Sequence, residues 1–313
     1  MGRGWVIVAG VLALLLGLSP AAAASLDELR ARALALVNQS RLDHGLMPLR
    51  LARDANQAAQ AHADDMRKRR YYGHVSPEGH AVKERYLRAG GSRSRATAEN
   101  IAQCPECVQP PGSDMVERLH RGWMDSPGHR ENILREGLTV FGFGIAVDRA
   151  RGLYAVQAFA GPGIPRNLRP DDRRTSLSSE EQVLQAVERF NRARHEQRRL
   201  GLRQSPALGA AALSLLAERS LDDFRLGDGQ NVRAALPAEQ RDDWRSIGAL
   251  AGICGGCGTD ATAVDVRYFV QLWLDDPKYR DMLLDPAWSH VGFAIAVDGE
   301  GRKVALGVLG QKR

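Results

Sequence analysis

The sequence contains two similar stretches that are separated by a constant offset of 150 residues. Residues 123–148 and 273–298 are identical at 11 of 26 aligned positions, without a gap. The same offset aligns the Cys-x-x-Cys motif at 104–107 with the one at 254–257, and further upstream the offset becomes 153. Self-similarity at a fixed spacing indicates a repeated structural unit. We therefore expect a tandem duplication, in which both halves of the chain adopt one fold.

The length and composition fit two globular domains. The chain has 313 residues, of which 44% are hydrophobic and 26% charged, and this excludes collagen, long disorder and disulfide-dense mini-scaffolds. A segment at 166–178 has few residues to bury and is predicted to be a linker. We expect a signal peptide at 1–24, a first unit at 25–165 and a second unit at 179–313.

The first 24 residues have the pattern of a cleavable secretory signal. Arg3 precedes an apolar run from Trp5 to Leu18, and Ser19-Pro20 separates that run from the alanines that end at Ala24. The run is shorter than the roughly 20 residues that cross a bilayer, and its charged start and small-residue end are typical of export signals. We expect an exported protein, periplasmic or extracellular, with no transmembrane segment after cleavage. An uncleaved anchor helix is the alternative.

The net charge of +6 is concentrated before the second unit. The first unit is mildly basic and the second is nearly neutral. This excess is too dilute to predict nucleic-acid binding, and it gives weak support to an anionic surface such as phospholipid or wall polymer. We therefore expect no nucleic-acid partner.

Both units place helix signals first and strand signals last. Serine–glutamate pairs at 25/28 and 178/181 predict a capping box at the start of each unit. Helices combined with a mainly antiparallel sheet, without regular βαβ alternation, predict a layered α+β fold. The expected strands are 140–148 and 153–160 in the first unit and 290–298 and 302–309 in the second.

Three polar residues of the first unit lie where a site could form. His74 lies in a loop sequence, His129 lies just after the helix-start signal Ser126-Pro127, and Glu99 enters an apolar run. Neutral imidazole is a common zinc ligand, and a carboxylate can bind the metal or orient the imidazole. We expect the position of His129 near a helix N-terminus to lower its pKa.

The motifs around these residues resemble those of the CAP superfamily, named for cysteine-rich secretory proteins, antigen 5 and pathogenesis-related proteins. They are most similar to its bacterial SCP-like branch over residues 32–160. The matching motifs are Asn38 with Arg41, His-x-Ser-Pro at 74–77, Glu-Asn-Ile at 99–101, the run 123–134 and Gly-x-Gly at 142–144.

This resemblance implies an α-β-α sandwich in each unit and a cleft in the first. In that cleft His74 and His129 would face zinc or another divalent metal, with Glu99 as the carboxylate. Eukaryotic members add a second glutamate shortly after the tryptophan, whereas this chain has Met-Asp-Ser at 124–126. A rigid, hydrogen-bonded polar cluster without metal is the alternative.

The second unit is predicted to keep the fold and to lack the cleft. Its apolar framework remains, and we expect a structural or interaction role for it. The aligned residues that replace the polar groups are Gly227 for His74, Ala249 for Glu99 and Tyr279 for His129.

The four cysteines form one Cys-x-x-Cys motif in each unit. Export favours disulfides, and we expect the local pairs Cys104–Cys107 and Cys254–Cys257. A joint four-cysteine zinc site and bridges between the units are alternatives. Thiol–disulfide catalysis has the least support, because neither motif has a thioredoxin-like βαβ setting.

Three classes of function fit this sequence. We expect an exported monomer whose first domain binds a lipid or a cell-envelope component, such as a wall component or an envelope protein, in or beside the cleft. One alternative is a metal-dependent hydrolase or protease, with Glu99 as general base and water on the metal. That enzyme would lack the His-Glu-x-x-His motif and a clear third ligand. The other alternative is a purely structural envelope protein.

Overall fold

The structure is a computed structural model that describes residues 24–107, 110–218, 220–226 and 232–313. The predicted signal peptide lies outside the described residues except for Ala24, and so does Gly227. No helix in the part of the chain that the structure describes is both long and apolar enough to cross a membrane.

The first unit alternates helices with the strands of one sheet. Its elements are α1 (Leu26–Asp43), β1 (Arg50–Leu51), α2 (Arg53–Arg69), α3 (Val82–Arg88), β2 (Ala96–Cys104), α4 (Ser113–Asp125), α5 (Pro127–Ile133), β3 (Val140–Asp148) and β4 (Gly152–Gly161).

The second unit has nearly the same order of elements. They are α6 (Ser179–Glu196), β5 (Arg203–Gln204), α7 (Pro206–Ala217), two 3₁₀ turns (Leu221–Asp223 and Ala238–Asp243), β6 (Trp244–Cys254), α8 (Ala263–Asp275), α9 (Pro277–Leu284), β7 (His290–Val297) and β8 (Lys303–Lys312). The predicted strands are therefore confirmed, with ends that differ by up to three residues.

The helix-start predictions are confirmed at both capping boxes and only in part at α5. Ser25 and Ser178 each accept the backbone N–H of the glutamate three residues later. Ser126 is the N-cap of α5, but its hydroxyl makes no capping hydrogen bond, and the same residue also ends α4. Asp276, the N-cap of α9, does accept the backbone N–H of Tyr279.

The two sheets have the same topology. Their strand orders are β1-β3-β4-β2 and β5-β7-β8-β6, with a parallel pair at one edge and antiparallel pairs elsewhere. The α+β fold with mainly antiparallel sheets is thus confirmed. The parallel registers Arg50–Val140 and Arg203–His290 match the two sequence offsets. A duplication accounts for this likeness, and it stays a prediction from the sequence.

Each sheet lies between two layers of helices because its strands alternate their side chains between two faces. In the first unit, Phe141, Phe143 and Phe159 pack with α1 and α4 on one face. Val156 and Ala158 pack with α2 on the other. The second unit repeats this arrangement with α6 and α8 on one face and α7 on the other.

A buried arginine anchors the first helix of each unit. Nη1 of Arg41 donates to the carbonyls of Ile133 and Arg135 at 2.7 and 3.0 Å. Nη1 of Arg194 donates to the aligned carbonyls, those of Leu283 and Asp285, at 2.6 and 3.0 Å. The resemblance named Arg41 only as a motif residue, and the structure shows that it holds the end of α5 against α1.

Both Cys-x-x-Cys motifs are local disulfides, as expected. Cys104 pairs with Cys107 and Cys254 with Cys257, across Cα distances of 5.3 and 6.0 Å. The joint zinc site and the bridges between units are therefore wrong for this structure, because every sulfur is already bonded to its near neighbour.

The second disulfide loop lies against the first unit and contacts it through the backbone. The N–H of Gly256 donates to the carbonyl of Ser94 at 2.8 Å, and Cys257 forms an isolated β-bridge with Gly163. Gly163 has a φ of +74°, and a Cβ there would lie 2.1 Å from the carbonyl oxygen of Gly256. This close approach requires glycine.

The segment at 166–178 contains no helix or strand, but it is tied to the second unit. The carboxylate of Asp172 accepts both Nη atoms of Arg267, at 2.8 and 2.5 Å. The N–H of Leu177 donates to the carbonyl of Ala261 at 2.8 Å. The domain boundaries themselves stay predictions.

Candidate functional site

Glu99 lies on β2, which is the edge strand of the first sheet. Its register partner on β4 is Ala158, whose side chain packs on the α2 face. Glu99 therefore points toward α2, and its side chain is only 4% exposed. A buried carboxylate requires charged or hydrogen-bonding partners, because desolvation of an ion is costly.

Three side chains surround the Glu99 carboxylate. Oε1 lies 3.0 Å from Nδ1 of His74 and 3.9 Å from Nε2 of His62. Oε2 accepts Nη2 of Arg85 at 2.6 Å. The guanidinium of Arg85 also donates to the carbonyls of His74 and His80, so α3 fixes both the carboxylate and the loop that carries His74.

His74 is held in one orientation while its ring stays accessible. Its side chain is 54% exposed, and Nδ1 lies at hydrogen-bond distance from a carboxylate that can only accept. Nδ1 therefore carries a proton, and in the neutral form of the ring the lone pair is on Nε2. This is the arrangement in which a carboxylate fixes the tautomer of a metal-binding or proton-accepting histidine.

His62 is a fully buried histidine on the inner face of α2. Its Nε2 lies 3.0 Å from the carbonyl of Gly73, next to His74, and therefore carries a proton. Burial lowers the pKa of His62, the Glu99 carboxylate opposes this effect, and the Arg85 charge adds to it. His62 thus anchors the start of the His74 loop as a neutral group.

A network of amides connects His129 on α5 to the strand that carries Glu99. Nδ2 of Asn100 donates to the carbonyl of His129 at 3.1 Å and to Oε1 of Gln157 at 2.9 Å. Nδ2 of Asn132 donates to the carbonyl of Glu99 and to Oδ1 of Asn100, each at 3.0 Å. The amide network thereby fixes α5 relative to β2.

The ring of His129 makes no hydrogen bond to any described residue, and His74 is close enough to affect its pKa. Its pKa is lowered, first by burial and then by the charge of His74. The expected direction of this shift is thus confirmed. The physical causes are burial and a neighbouring imidazole, whereas the sequence pointed to the helix N-terminus.

Two free imidazoles fit a divalent metal as two of its ligands. Glu99 is paired with His74 through one oxygen and with Arg85 through the other, which suits it to orient an imidazole. Among the described residues, one set of three ligand-type side chains comes within 4.8 Å of one another, namely Cys104, Glu106 and Cys107. Its sulfurs are joined in a disulfide and cannot act as thiolate ligands.

An open groove of about 460 Å³ begins beside His129 and runs between β2 and α4. Its walls are mainly apolar and include Tyr72, Met115, Leu119 and Trp123. Trp123 is fixed in place because its Nε1 donates to the carbonyl of Ile101 at 3.1 Å. The groove therefore has the imidazole of His129 at one end.

A model of the cysteine-rich secretory protein family, CAP, matches residues 34–159, which carry all of these features. This segment is a CAP domain. The family resemblance inferred from the motifs is thereby confirmed for the first unit.

The relatives found for the CAP domain are bacterial. It is 31% identical over 109 residues to the uncharacterized protein YkwD of Bacillus subtilis (strain 168), covering 35% of this chain and 39% of that protein. It is 34% identical over 110 residues to the uncharacterized membrane protein YlbC of the same organism, covering 35% of this chain and 29% of that protein. The chain thus spans less than two-fifths of the length of these curated relatives.

The CAP domain also matches solved structures. One is an extracellular protein containing an SCP domain from Bacillus anthracis str. Ames. It is 30% identical, with a TM-score of 0.34, and the match covers 42% of this chain and 40% of that one.

The second unit lacks every polar group of the CAP-domain site that the structure allows us to compare. Ala249 pairs with Val308 in the register in which Glu99 pairs with Ala158. Tyr279 follows the N1 proline of α9 as His129 follows that of α5. The other replacements at the same offsets are Leu215 for His62, Leu250 for Asn100, Met282 for Asn132 and Gly307 for Gln157.

Sequence reasoning missed three residues of the CAP-domain site. Arg85 and His62 reach Glu99 from α3 and α2, and Gln157 reaches Asn100 from β4. Two of these residues, His62 and Gln157, could have been found by comparing the sequences of the two units. His62 and Gln157 align with Leu215 and Gly307, so each is a polar residue that only the first unit has.

Proposed function

We propose that the CAP domain is an exported binding module that takes an apolar, lipid or wall-derived ligand into the groove beside His129. The observation that carries this proposal is an apolar groove that has the imidazole of His129 at one end. His74 lies close enough to His129 to lower its pKa. Apolar walls with a few convergent polar groups are typical of ligand sites. The apolar part of the ligand would lie along Leu119 and Trp123.

The environment of Glu99 favours binding over hydrolysis. A general base must be free to take a proton from water, whereas the Glu99 carboxylate is buried and paired with Arg85 at 2.6 Å. Its contact with His74 suits an orienting role. The groups left to meet a ligand are therefore the two imidazoles.

A divalent metal is part of this proposal. Nε2 of His74, fixed by Glu99, and the ring of His129 would be its protein ligands, and the ligand or water would complete the coordination. Zinc matches imidazole donors of this kind. The metal would supply a positive charge at the end of the groove, where a polar headgroup could bind.

The second unit is assigned a structural role in this proposal. It repeats the buried arginine anchor and lacks the polar residues of the site. Export rests on the signal-like residues 1–24, and the Bacillus anthracis protein that resembles the CAP domain is described as extracellular.

The experiment combines metal analysis with mass spectrometry of extracted ligand on the full chain. We expect about one zinc per chain in the wild type, lost in His74→Ala/His129→Ala, since a zinc site with two imidazoles depends on both. We expect a co-purified apolar molecule that is lost in Leu119→Arg, which places a charge in the groove.

The matched control is Leu184→Arg, which changes an exposed leucine of the second unit. It should retain both the metal and the ligand. Retention of the apolar molecule in Leu119→Arg would refute the groove as the binding site. Zinc that persists in the double histidine variant would refute the metal site.

A further inference from the structure

A second cavity of about 440 Å³ lies between α2 and α3, and Arg85 lines it. This guanidinium pairs with Glu99 on one side. The cavity is lined by different residues from the groove beside His129, among them Arg69, Glu78, His80 and Arg88. No residue of the proposed ligand groove takes part in it.

The acidic residues of this cavity are already neutralised. Nη2 of Arg69 contacts Asp65 at 2.5 Å and Glu78 at 2.9 Å, while the hydroxyl of Ser76 also donates to Glu78. The hydroxyl of Tyr71 donates to Asp65 at 2.6 Å. The carboxylates of Asp65 and Glu78 are therefore paired with these donors and leave Arg85 and Arg88 free of them.

Arg88 has no carboxylate partner among the described residues. Its Nη1 and Nη2 atoms instead lie 3.1 and 2.8 Å from Nδ1 and Nε2 of His80. A guanidinium only donates hydrogen bonds, and a neutral imidazole accepts through one nitrogen alone. At most one of these two contacts is a hydrogen bond, so N–H groups of Arg88 and His80 face each other without an acceptor.

Arg85 supplies another unsatisfied donor. Its side chain is 10% exposed, and Nη1 and Nη2 have acceptors in His80, His74 and Glu99. Its Nε is buried and has no partner within the described part of the chain. This Nε is enclosed by protein atoms, so the donors that an acceptor in the cavity can reach are those of Arg88 and His80.

We propose that this cavity binds a small molecule through a single carboxylate, held by Arg88 and His80. Charge-assisted hydrogen bonds from guanidinium groups suit a carboxylate. The nearby carboxylates of Asp65, Glu78 and Glu99 disfavour a multiply charged anion. The volume exceeds that of a carboxylate alone, so the remainder of a small acid, or the last residues of a peptide, would fit.

The test follows the imidazole resonances by NMR while acetate is added to the full mature chain at constant ionic strength and pH. We expect the His80 resonances to shift and to saturate. We expect Arg88→Gln to weaken the binding about tenfold, the effect of losing one charge-assisted contact. Arg67→Gln, which changes a partly exposed arginine paired with Asp64, should bind as the wild type does.

Two further measurements complete the test. One identifies the group that is recognised, and the other distinguishes loss of binding from misfolding of the variant. Acetyl-alanyl-alanine as the free acid is compared with its C-terminal amide, and binding of the acid alone identifies the carboxylate as the recognised group. Arg88→Lys keeps the charge and should retain part of the affinity. Absence of a saturable His80 shift, or equal binding by Arg88→Gln and Arg67→Gln, would overturn the proposal.

Discussion

Nδ1 of the His74 imidazole lies 3.0 Å from Oε1 of Glu99, while the other carboxylate oxygen of Glu99 accepts the Arg85 guanidinium at 2.6 Å. The imidazole, the carboxylate and the guanidinium thus form a hydrogen-bonded series that begins at the solvent-exposed ring and ends under α2. The carboxylate is the shared member. Its removal should disturb both the loop that carries His74 and the helix that carries Arg85.

Glu99→Gln should lower the free energy of unfolding by about 3 kcal/mol, because it leaves the buried Arg85 charge without a counter-ion. Urea denaturation followed by circular dichroism measures the change. Glu106→Gln, at an exposed glutamate of the same unit, is the control and should remain within about 0.5 kcal/mol of wild type. A loss below about 1 kcal/mol in Glu99→Gln would show that the pair is solvated.

The second unit contains a buried ion pair that the first unit replaces with apolar residues. Nζ of Lys303 lies 2.7 Å from Oδ2 of Asp265, and both side chains are buried. Lys303 pairs with Cys254 across the sheet as Leu153 pairs with Cys104. Met115 occupies the position of Asp265 at the same offset.

Lys303→Leu should cost about 3 kcal/mol of stability, since it leaves the Asp265 carboxylate buried without its cation. The double variant Lys303→Leu/Asp265→Met copies the first unit and should recover stability to within about 1 kcal/mol of wild type. Chemical denaturation of the wild type, the single variant and the double variant measures these differences in stability. A double variant as unstable as the single one would contradict the equivalence of the two sites.

The free energy of unfolding should fall as the pH drops below about 6.5, the ordinary histidine value. Burial lowers the pKa values of His62, His120, His129 and His290. Below pH 6.5 the unfolded chain therefore binds protons that the folded chain does not, and acid favours unfolding. Urea titrations at pH 7.5 and pH 5.5 compare the two conditions, with the carboxylates ionised in both.

His290→Val should reduce this pH dependence, because it removes one buried histidine and installs the residue found at Val140, the equivalent position. The difference in unfolding free energy between the two pH values is the readout. His195→Gln changes an exposed histidine of α6 and serves as the control. An unchanged difference in His290→Val would contradict the assignment of His290 as a buried neutral group.

The two disulfides should differ in their resistance to reduction. Cys104 is partly exposed at the groove, whereas Cys254 and Cys257 are 5% and 0% exposed beneath the contact between the units. Thiol–disulfide exchange requires access of the attacking thiolate to a sulfur. Graded dithiothreitol, followed by alkylation and peptide mass analysis, should label Cys104 and Cys107 first.

Unfolded protein is the control for this measurement, since both pairs are exposed there and should react alike. Simultaneous labelling of all four cysteines in the folded chain would mean that the contact between the units opens as easily as the groove. Earlier labelling of Cys254 would contradict the packing of its loop against Ser94.

Features that depend on neighbours along the chain were predictable from the sequence. The capping boxes at Ser25 and Ser178 are examples, because the two groups that bond lie three residues apart. Strands β3, β4, β7 and β8 and the local disulfides also follow from nearby residues, whereas the other four strands were not predicted. Comparison of the repeats further predicted that Ala249 replaces Glu99, which the sheet register confirms.

Features that depend on tertiary contacts were not predictable in this way. Arg85 is one arginine in an arginine-rich chain, and nothing near it in sequence shows that its guanidinium reaches Glu99, 14 residues away on another element. His62 lies on an alanine-rich helix whose periodicity predicts burial and does not predict a partner. The role of Arg88 likewise emerges only from its distance to the His80 ring.

Ala249 has the same sheet register as Glu99 of the first unit. The second unit of each molecule is therefore an internal control for ligand binding by the first. Each chain presents the same sheet topology twice, once with the ionisable groups and once with small or apolar substitutes. Any metal, lipid or acid that requires those groups must saturate at one equivalent per polypeptide. A stoichiometry of two would mean that the backbone framework alone is recognised.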